Sequence, residues 1–184
     1  MKKVFLFLMV FVLLLSTVSC SSNIQKLFFK SDSDIANAHF EQLLDAMGNQ
    51  NDAAIKELFA QTAISRSETF DEDVGRLFEF FKGDFKSYYD WGGVAAESGF
   101  NDDGSGRNWK KIQSTYDVET TEGKYRFAIE EFVTDTADSN NVGIHSLYII
   151  NGEDSNMQVA YNGDGKYTPG INFNKEYIPD NVFN

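Results

Sequence analysis

The side chains best suited to chemistry are few and scattered. His39 and His145 stand far apart, and neither has a second ligand-type residue at the local spacing that zinc binding uses. General acid–base catalysis needs a carboxylate or imidazole whose proton affinity is shifted inside a pocket. Asp90, Glu97, Asp117, Glu131 and His145 lie on or beside predicted strands and could serve. Asp90, Glu131 and His145 come nearest to a catalytic group, but a solvated edge charge is the plainer account of each, and no catalytic set is assigned. A phosphate loop ending in Lys-Ser/Thr, a Gly-x-Ser-x-Gly elbow and a His-Glu-x-x-His helix are all absent from the sequence. The acidic turns Asn101-Asp102-Asp103-Gly104 and Asn162-Gly163-Asp164-Gly165 lack the alternating ligands and closing Glu of a calcium loop, and hairpin geometry accounts for both. The expectation is no metal and no cofactor.

Aromatic residues are the more informative group. Tyr88, Tyr89, Trp91, Trp109, Tyr116, Tyr125 and Tyr148 concentrate in the second half of the chain. Any one of them is most simply a core residue. Several lining one cavity would make a binding site, and Tyr89, Trp91, Trp109, Tyr116, Tyr125 and Tyr148 are the candidate lining. Strand alternation puts Tyr125, Phe127 and Ile129 on one face and Arg126, Ala128 and Glu130 on the other. Further on, Ile144, Ser146, Tyr148 and Ile150 alternate with His145, Leu147 and Ile149. Both faces are partly apolar, so such a sheet is either covered twice or curled around a cavity.

The elements that must position these residues are legible from periodicity. Ala36, Phe40, Leu43, Leu44 and Met47 form one stripe of an amphipathic helix, capped by Asp32 or Ser33 and ended at Gly48-Asn49. Asp52 opens a second helix with Ile55, Leu58, Phe59 and Ala63 inward. Thr69 and Glu72 fit a capping box for a third, with Val74, Leu77, Phe78 and Phe81 on one face and Gly83 at its end. Asp71, Glu72 and Asp73 suit the positive start of that helix better than they suit a metal. From Phe85 onward the character is β: 85–91, 109–120, 124–134 and 144–151, with a last strand expected at 158–162. Helices followed by five or six antiparallel strands, without βαβ alternation, make an α+β domain with the sheet packed on a helical layer.

The chain has 184 residues, 16 Lys+Arg against 28 Asp+Glu, and a formal net charge of −12. That balance argues against a nucleic-acid partner, because phosphate binding needs clustered basic residues. Cys20 is the only cysteine, so no disulfide scaffold exists. Met1-Lys2-Lys3, the apolar run from Val4 to Leu15 and the small residues before Cys20 follow the order of a secretory signal peptide. Twelve apolar residues reach only about 18 Å as a helix, too short to span a membrane. Leu15-Ser16-Thr17-Val18-Ser19-Cys20 resembles a bacterial lipobox, although Thr17 stands where such motifs usually carry Leu. The resemblance implies cleavage after residue 19 and diacylglycerol on Cys20, each buried CH₂ adding roughly 0.8 kcal/mol of membrane attachment. Plain secretion with a free thiol is the alternative. Loss of Lys2 and Lys3 would leave 14 basic against 28 acidic residues, a surface ill-suited to anionic lipid. The expected organisation is a signal peptide at 1–19, a tether at 20–32, one α+β domain at 33–174 and a tail at 175–184.

Several segments together carry a family likeness. They are Ser33-Asp34-Ile35-Ala36-Asn37-Ala38, Leu77-Phe78-Glu79-Phe80-Phe81-Lys82-Gly83, Tyr89-Asp90-Trp91-Gly92-Gly93, Ser114-Thr115-Tyr116-Asp117-Val118, Gly123-Lys124-Tyr125, Asn141-Val142-Gly143-Ile144 and Leu147-Tyr148-Ile149-Ile150. Over roughly Lys30 to Phe173 the chain resembles a family of Gram-positive bacterial lipoproteins classed as a domain of unknown function. The order of elements is also similar to the nuclear transport factor 2-like, cystatin-like fold, in which a bent sheet wraps a helix into a cone. That resemblance implies a cone able to hold a ligand, but fold alone does not choose an activity. The preferred expectation is a non-enzymatic, membrane-anchored surface lipoprotein that binds a small molecule or a protein. Two alternatives stand beside it. One is a small isomerase- or hydrolase-type enzyme using a buried carboxylate or His145. The other is a structural or immunity-type accessory protein.

Overall fold

The computed structural model describes residues 31–91, 93–101, 106–152 and 167–173. Cys20, residues 1–30, the strand expected at 158–162 and the tail at 175–184 lie outside the described residues. Helices come first: α1 (Asp32–Gly48), α2 (Asp52–Leu58), α3 (Gln61–Arg66) and α4 (Phe70–Phe80). Strands follow as β1 (Phe85–Asp90), β2 (Ala95–Phe100), β3 (Asn108–Thr120), β4 (Lys124–Asp135), β5 (Gly143–Asn151) and β6 (Gly170–Phe173). The fold is α+β, with one open sheet of order β1-β3-β4-β5-β6 and β2 paired to β3 beyond the end of β1.

Local chemistry explains where the elements begin and break. Ser31, one residue before the expected caps, caps α1: its Oγ accepts from the Asp34 amide at 3.1 Å, and the Asp34 carboxylate accepts from the Ser31 amide at 3.0 Å. This reciprocal box satisfies amides that the first turn leaves free. The expected second helix is two short ones. Phe59 and Ala60 are extended between them, Phe59 forms a parallel bridge to Ile144, and the Ala60 amide donates to the Ile144 carbonyl at 3.0 Å. Packing forces the break, because Phe59 leaves the helical path to reach the core, where its ring meets Phe70 edge-on at 4.9 Å. The capping box expected at Thr69 does not form. Its hydroxyl bonds Asp73 Oδ2 at 2.6 Å instead, and buried Asp73 also accepts from Arg76.

The sheet departs from the expectation in three ways. β2 is a strand despite its Ala, Ser and Gly content, held by six register pairs to the start of β3. β6 runs parallel to β5, so the sheet is mostly rather than wholly antiparallel. In β5 the pairing steps from Ile144 opposite Glu131 to Ser146 opposite Glu130, leaving His145 as the extra residue. That bulge puts Ile144 on the helix-facing side with Leu147 and Ile149, not with Ser146 and Tyr148. A second register shift at Lys110/Lys111 accompanies it. Bulges bend and twist the strands that carry them.

The helices cover one face of the sheet. Phe40, Leu43 and Met47 of α1, Ile55, Phe59, and Phe70, Val74 and Leu77 of α4 pack on Tyr116, Val118, Phe127, Leu147 and Ile149. Each such side chain contributes roughly 1.5–3 kcal/mol by leaving water, which is what fixes α1 across β3 and β4. No helix among the described residues is long and apolar enough to cross a membrane.

Candidate functional site

The middle of β4 carries two consecutive buried carboxylates. Glu131 is 2% exposed and Glu130 is 9% exposed. Alternation sends them to opposite faces, and each has its own partner. On the helix-covered face, Glu131 Oε2 lies 2.5 Å from His39 Nδ1 of α1. The His39 side chain is 38% exposed, so the pair joins a buried acid to a ring that reaches solvent. On the same helix Asp32 is ion-paired to Lys110, and Asn37 Oδ1 accepts from the Tyr116 hydroxyl at 3.0 Å. Burial holds the Tyr116 phenol far above its usual range, with Glu131 and Asp90 adding to the shift. An imidazole held by a carboxylate is the positioned half of many acid–base sites.

The face turned away from the helices is equally polar inside. Glu130 accepts from Gln113 Nε2 at 2.8 Å and from Lys111 Nζ at 3.2 Å. Lys111 also reaches Glu97 at 3.3 Å, and these acids raise its pKa against the opposing effect of burial. Farther along, Arg126 is almost fully buried and donates to both oxygens of Asp117, at 2.7 and 2.9 Å. The Trp91 ring covers that guanidinium at 4.1 Å, and its Nε1 donates to Asp117 at 2.7 Å. Burial alone would raise the Asp117 pKa, but the bonds from Arg126 and Trp91 outweigh it and lower it. Thr115, Ala128, Ser146, Tyr148 and Ile150 complete the buried part of this face. A cavity of about 70 Å³ opens there, its lining including Gly93, Ala95, Gln113, Thr115, Ala128 and Tyr167.

The six candidate aromatics divide between these faces. Tyr116 stacks on Phe40 at 3.8 Å, and Tyr125 packs on Phe81 while its hydroxyl accepts from the Lys82 amide, so both sit under the helices. Tyr148 lies opposite Ala128 on the other face. Trp91 joins it there over Arg126, and Trp109 lies against Gly99 and Phe132 at the start of β3. Tyr89 is 67% exposed on β1. Among the polar candidates, Asp90 accepts from the Gly93 amide where the edge strand breaks. His145 Nε2 donates to the Asn141 carbonyl at 2.8 Å and its ring meets Phe132, which fixes a turn. Glu131 alone of the three weak acid–base candidates meets a second ionisable side chain. In the sequence His39 is weighed only as a metal ligand, and Glu130 only as part of a strand face. Glu130 did leave a signal: with Arg126 it is a charge in mid-strand on a face otherwise apolar. No group of three or more His, Cys, Asp or Glu among the described residues could hold a metal ion.

The family model for a domain of unknown function, DUF5104, matches residues 42–152. The chain belongs to this family. The DUF5104 match runs from the second half of α1 to the end of β5 and so contains Trp91, Lys111, Gln113, Arg126, Glu130 and Glu131, whereas His39 precedes it. No curated protein matches the chain.

Proposed function

We propose that this DUF5104 protein is exported, lipidated on Cys20 after loss of residues 1–19, and held at the outer face of a bacterial membrane, where its domain binds a small ligand or a protein partner. The charged start, short apolar run and lone cysteine of the N-terminus support the anchor. Bulges in the long strands, which bend them, and helices packed on one face of the sheet support a nuclear transport factor 2-like cone. The observation that carries the binding role is the sheet face away from the helices, which buries Arg126, Glu130 and Ser146 and carries a cavity of about 70 Å³ lined in part by Gln113, Thr115 and Ala128. A face used only as a solvated surface has no reason to bury polar groups that each lose hydration.

Two experiments test this reading. Expression of the chain and of Cys20→Ser in a Gram-positive host, followed by fractionation, should place the first in the membrane and the second in the medium; an unchanged distribution removes the anchor. Native mass spectrometry of the detergent-extracted protein should show a reproducible adduct lost on denaturation. A clean mass, with no binder among envelope metabolites, moves the role to a protein partner.

A second reading, an isomerase- or hydrolase-type enzyme, is favoured by the contact between His39 and buried Glu131. There Glu131 orients the imidazole and the imidazole moves the proton. Glu131→Gln should then abolish turnover while leaving the adduct of the first reading in place.

A further inference from the structure

The cavity beneath Gly93 and Tyr167 has a lining chemistry that narrows what can enter it. None of the described residues lining it is charged, and the charged groups elsewhere on the same face are matched among themselves. Lys111 lies between Glu97 and Glu130, Glu130 is held by Lys111 and Gln113, and Asp117 is held by Arg126 and Trp91. An anion or a cation in the cavity would therefore lose hydration without meeting a counter-charge on its described walls. What remains is neutral hydrogen-bonding capacity. Gln113 spends its amide N–H on Glu130, so its Oε1 is fixed in place as an acceptor. Thr115 is 5% exposed and lines the cavity, and its hydroxyl has no bond among the described residues. In the same cross-strand row as Gln113 and Glu130, Ser146 Oγ is buried with no partner among the described residues. A native interior rarely leaves a buried hydroxyl such as that of Ser146 unsatisfied without a reason.

Space and backbone point the same way. Ala95, Ala128 and Gly93 supply small walls. Gly93 and Tyr167 both have positive φ, +96° and +50°, and left-handed backbone at a non-glycine residue is typical of ligand clamps. About 70 Å³ holds a group of a few non-hydrogen atoms, since a water occupies about 30 Å³ of liquid and a cavity of roughly 150 Å³ admits benzene.

From this we infer that the cavity is a subsite for a small uncharged hydrogen-bonding group, a primary amide or an alcohol, whether free or at the end of a larger molecule. The inference rests on the binding reading above and names the ligand class for that same face. The amide or hydroxyl of the ligand donates to Gln113 Oε1 and exchanges a hydrogen bond with Thr115 Oγ1, and its alkyl part lies against Ala128 and the Tyr167 ring.

The test is amide NMR of the full mature chain in detergent micelles, titrated separately with acetamide, 2-propanol, acetate and methylammonium. Acetamide and 2-propanol should shift the Gly93, Thr115 and Ala128 amides saturably at millimolar concentration, while acetate and methylammonium at the same concentration leave them in place. Thr115→Val should weaken acetamide binding about five- to tenfold, and Thr115→Ser should restore it. Ala95→Val, which fills the cavity from its exposed rim, should abolish it and covers the case in which the Thr115 variant fails to fold. Equal response to acetate or methylammonium, or no shift in these amides, overturns the inference. Shifts confined to another region, with a native adduct still present, overturn it while leaving the binding reading intact.

Discussion

Replacing His39 by Ala removes the one group that bonds Glu131 within the described structure. The carboxylate is 2% exposed, and its cross-strand neighbours are Ile112 and Ile144, both buried and apolar. Leaving a buried polar group without a partner costs about 1–3 kcal/mol, and breaking a fully buried ion pair costs about 3–5 kcal/mol. His39 is 38% exposed, so water entering its place can reach part of the carboxylate. The expected loss for His39→Ala is therefore intermediate, about 2–4 kcal/mol. For a chain of this size that lowers the melting temperature by about 5–15 °C. Urea denaturation followed by far-ultraviolet dichroism reads it directly. The decisive comparison is His39→Ala/Glu131→Leu, which removes the acid together with its partner. The double variant should recover most of the stability, because Leu has about the volume of Glu and needs no hydrogen bond. A single variant that loses less than about 0.5 kcal/mol, or a double variant no better than the single, would refute the dependence of Glu131 on His39.

Three further outcomes follow from other contacts. Asp135 is held well below the usual carboxylate range, first by the Arg107 guanidinium and then by Asn141 and the Ala137 amide, and Asp117 is lowered by Arg126 and Trp91. Groups depressed in the folded state stabilise it above their unfolded pKa of about 3.9. Urea midpoints should thus hold from neutral pH to about 4 and fall below it, with a shallower fall in Asp135→Asn. Gly143→Ala should destabilise by at least about 2 kcal/mol, since Gly143 has φ of +123° and an added Cβ would lie 2.8 Å from the Ala60 amide nitrogen; thermal melts check it. Trp91→Ala should cost about 1–2 kcal/mol in the same melts by uncovering Arg126 and releasing a bond to Asp117, and Trp91→Phe, which keeps a ring over the guanidinium, should cost less.

Periodicity made the helical stripe of α1 and the alternation of β4 legible, because burial on one face leaves its period in the sequence. It did not show the break at Phe59-Ala60, where the apolar spacing of Ile55, Leu58, Phe59 and Ala63 reads as one helix and only the reach of Phe59 to Phe70 interrupts it. β2 was hidden for the opposite reason. Its Ala, Ser and Gly have little strand preference, and pairing with β3 holds them. The bulge at His145 changes which face Ile144 occupies, and alternation cannot register an inserted residue. The candidate site was hardest to read, since His39 and Glu131 are 92 residues apart and meet only through the packing of α1 on the sheet.

Glu130 and Glu131 also bear on why the site exists. Burying one carboxylate costs several kcal/mol even after relaxation, and an apolar pair in its place is often neutral or more stable by about 1–4 kcal/mol. A strand under selection for stability alone would carry Leu or Val at both positions, as it carries Phe127 and Ile129 beside them. Stability of His39→Ala/Glu131→Leu therefore tests more than a contact. If the double variant equals or exceeds the parent chain, the pair is kept for something other than folding, and loss of turnover or of ligand in that well-folded variant identifies which. The same substitution leaves Lys111, Gln113 and Glu130 untouched on the other face. An adduct that survives it belongs to the outer cavity, and one that disappears with it belongs beneath α1.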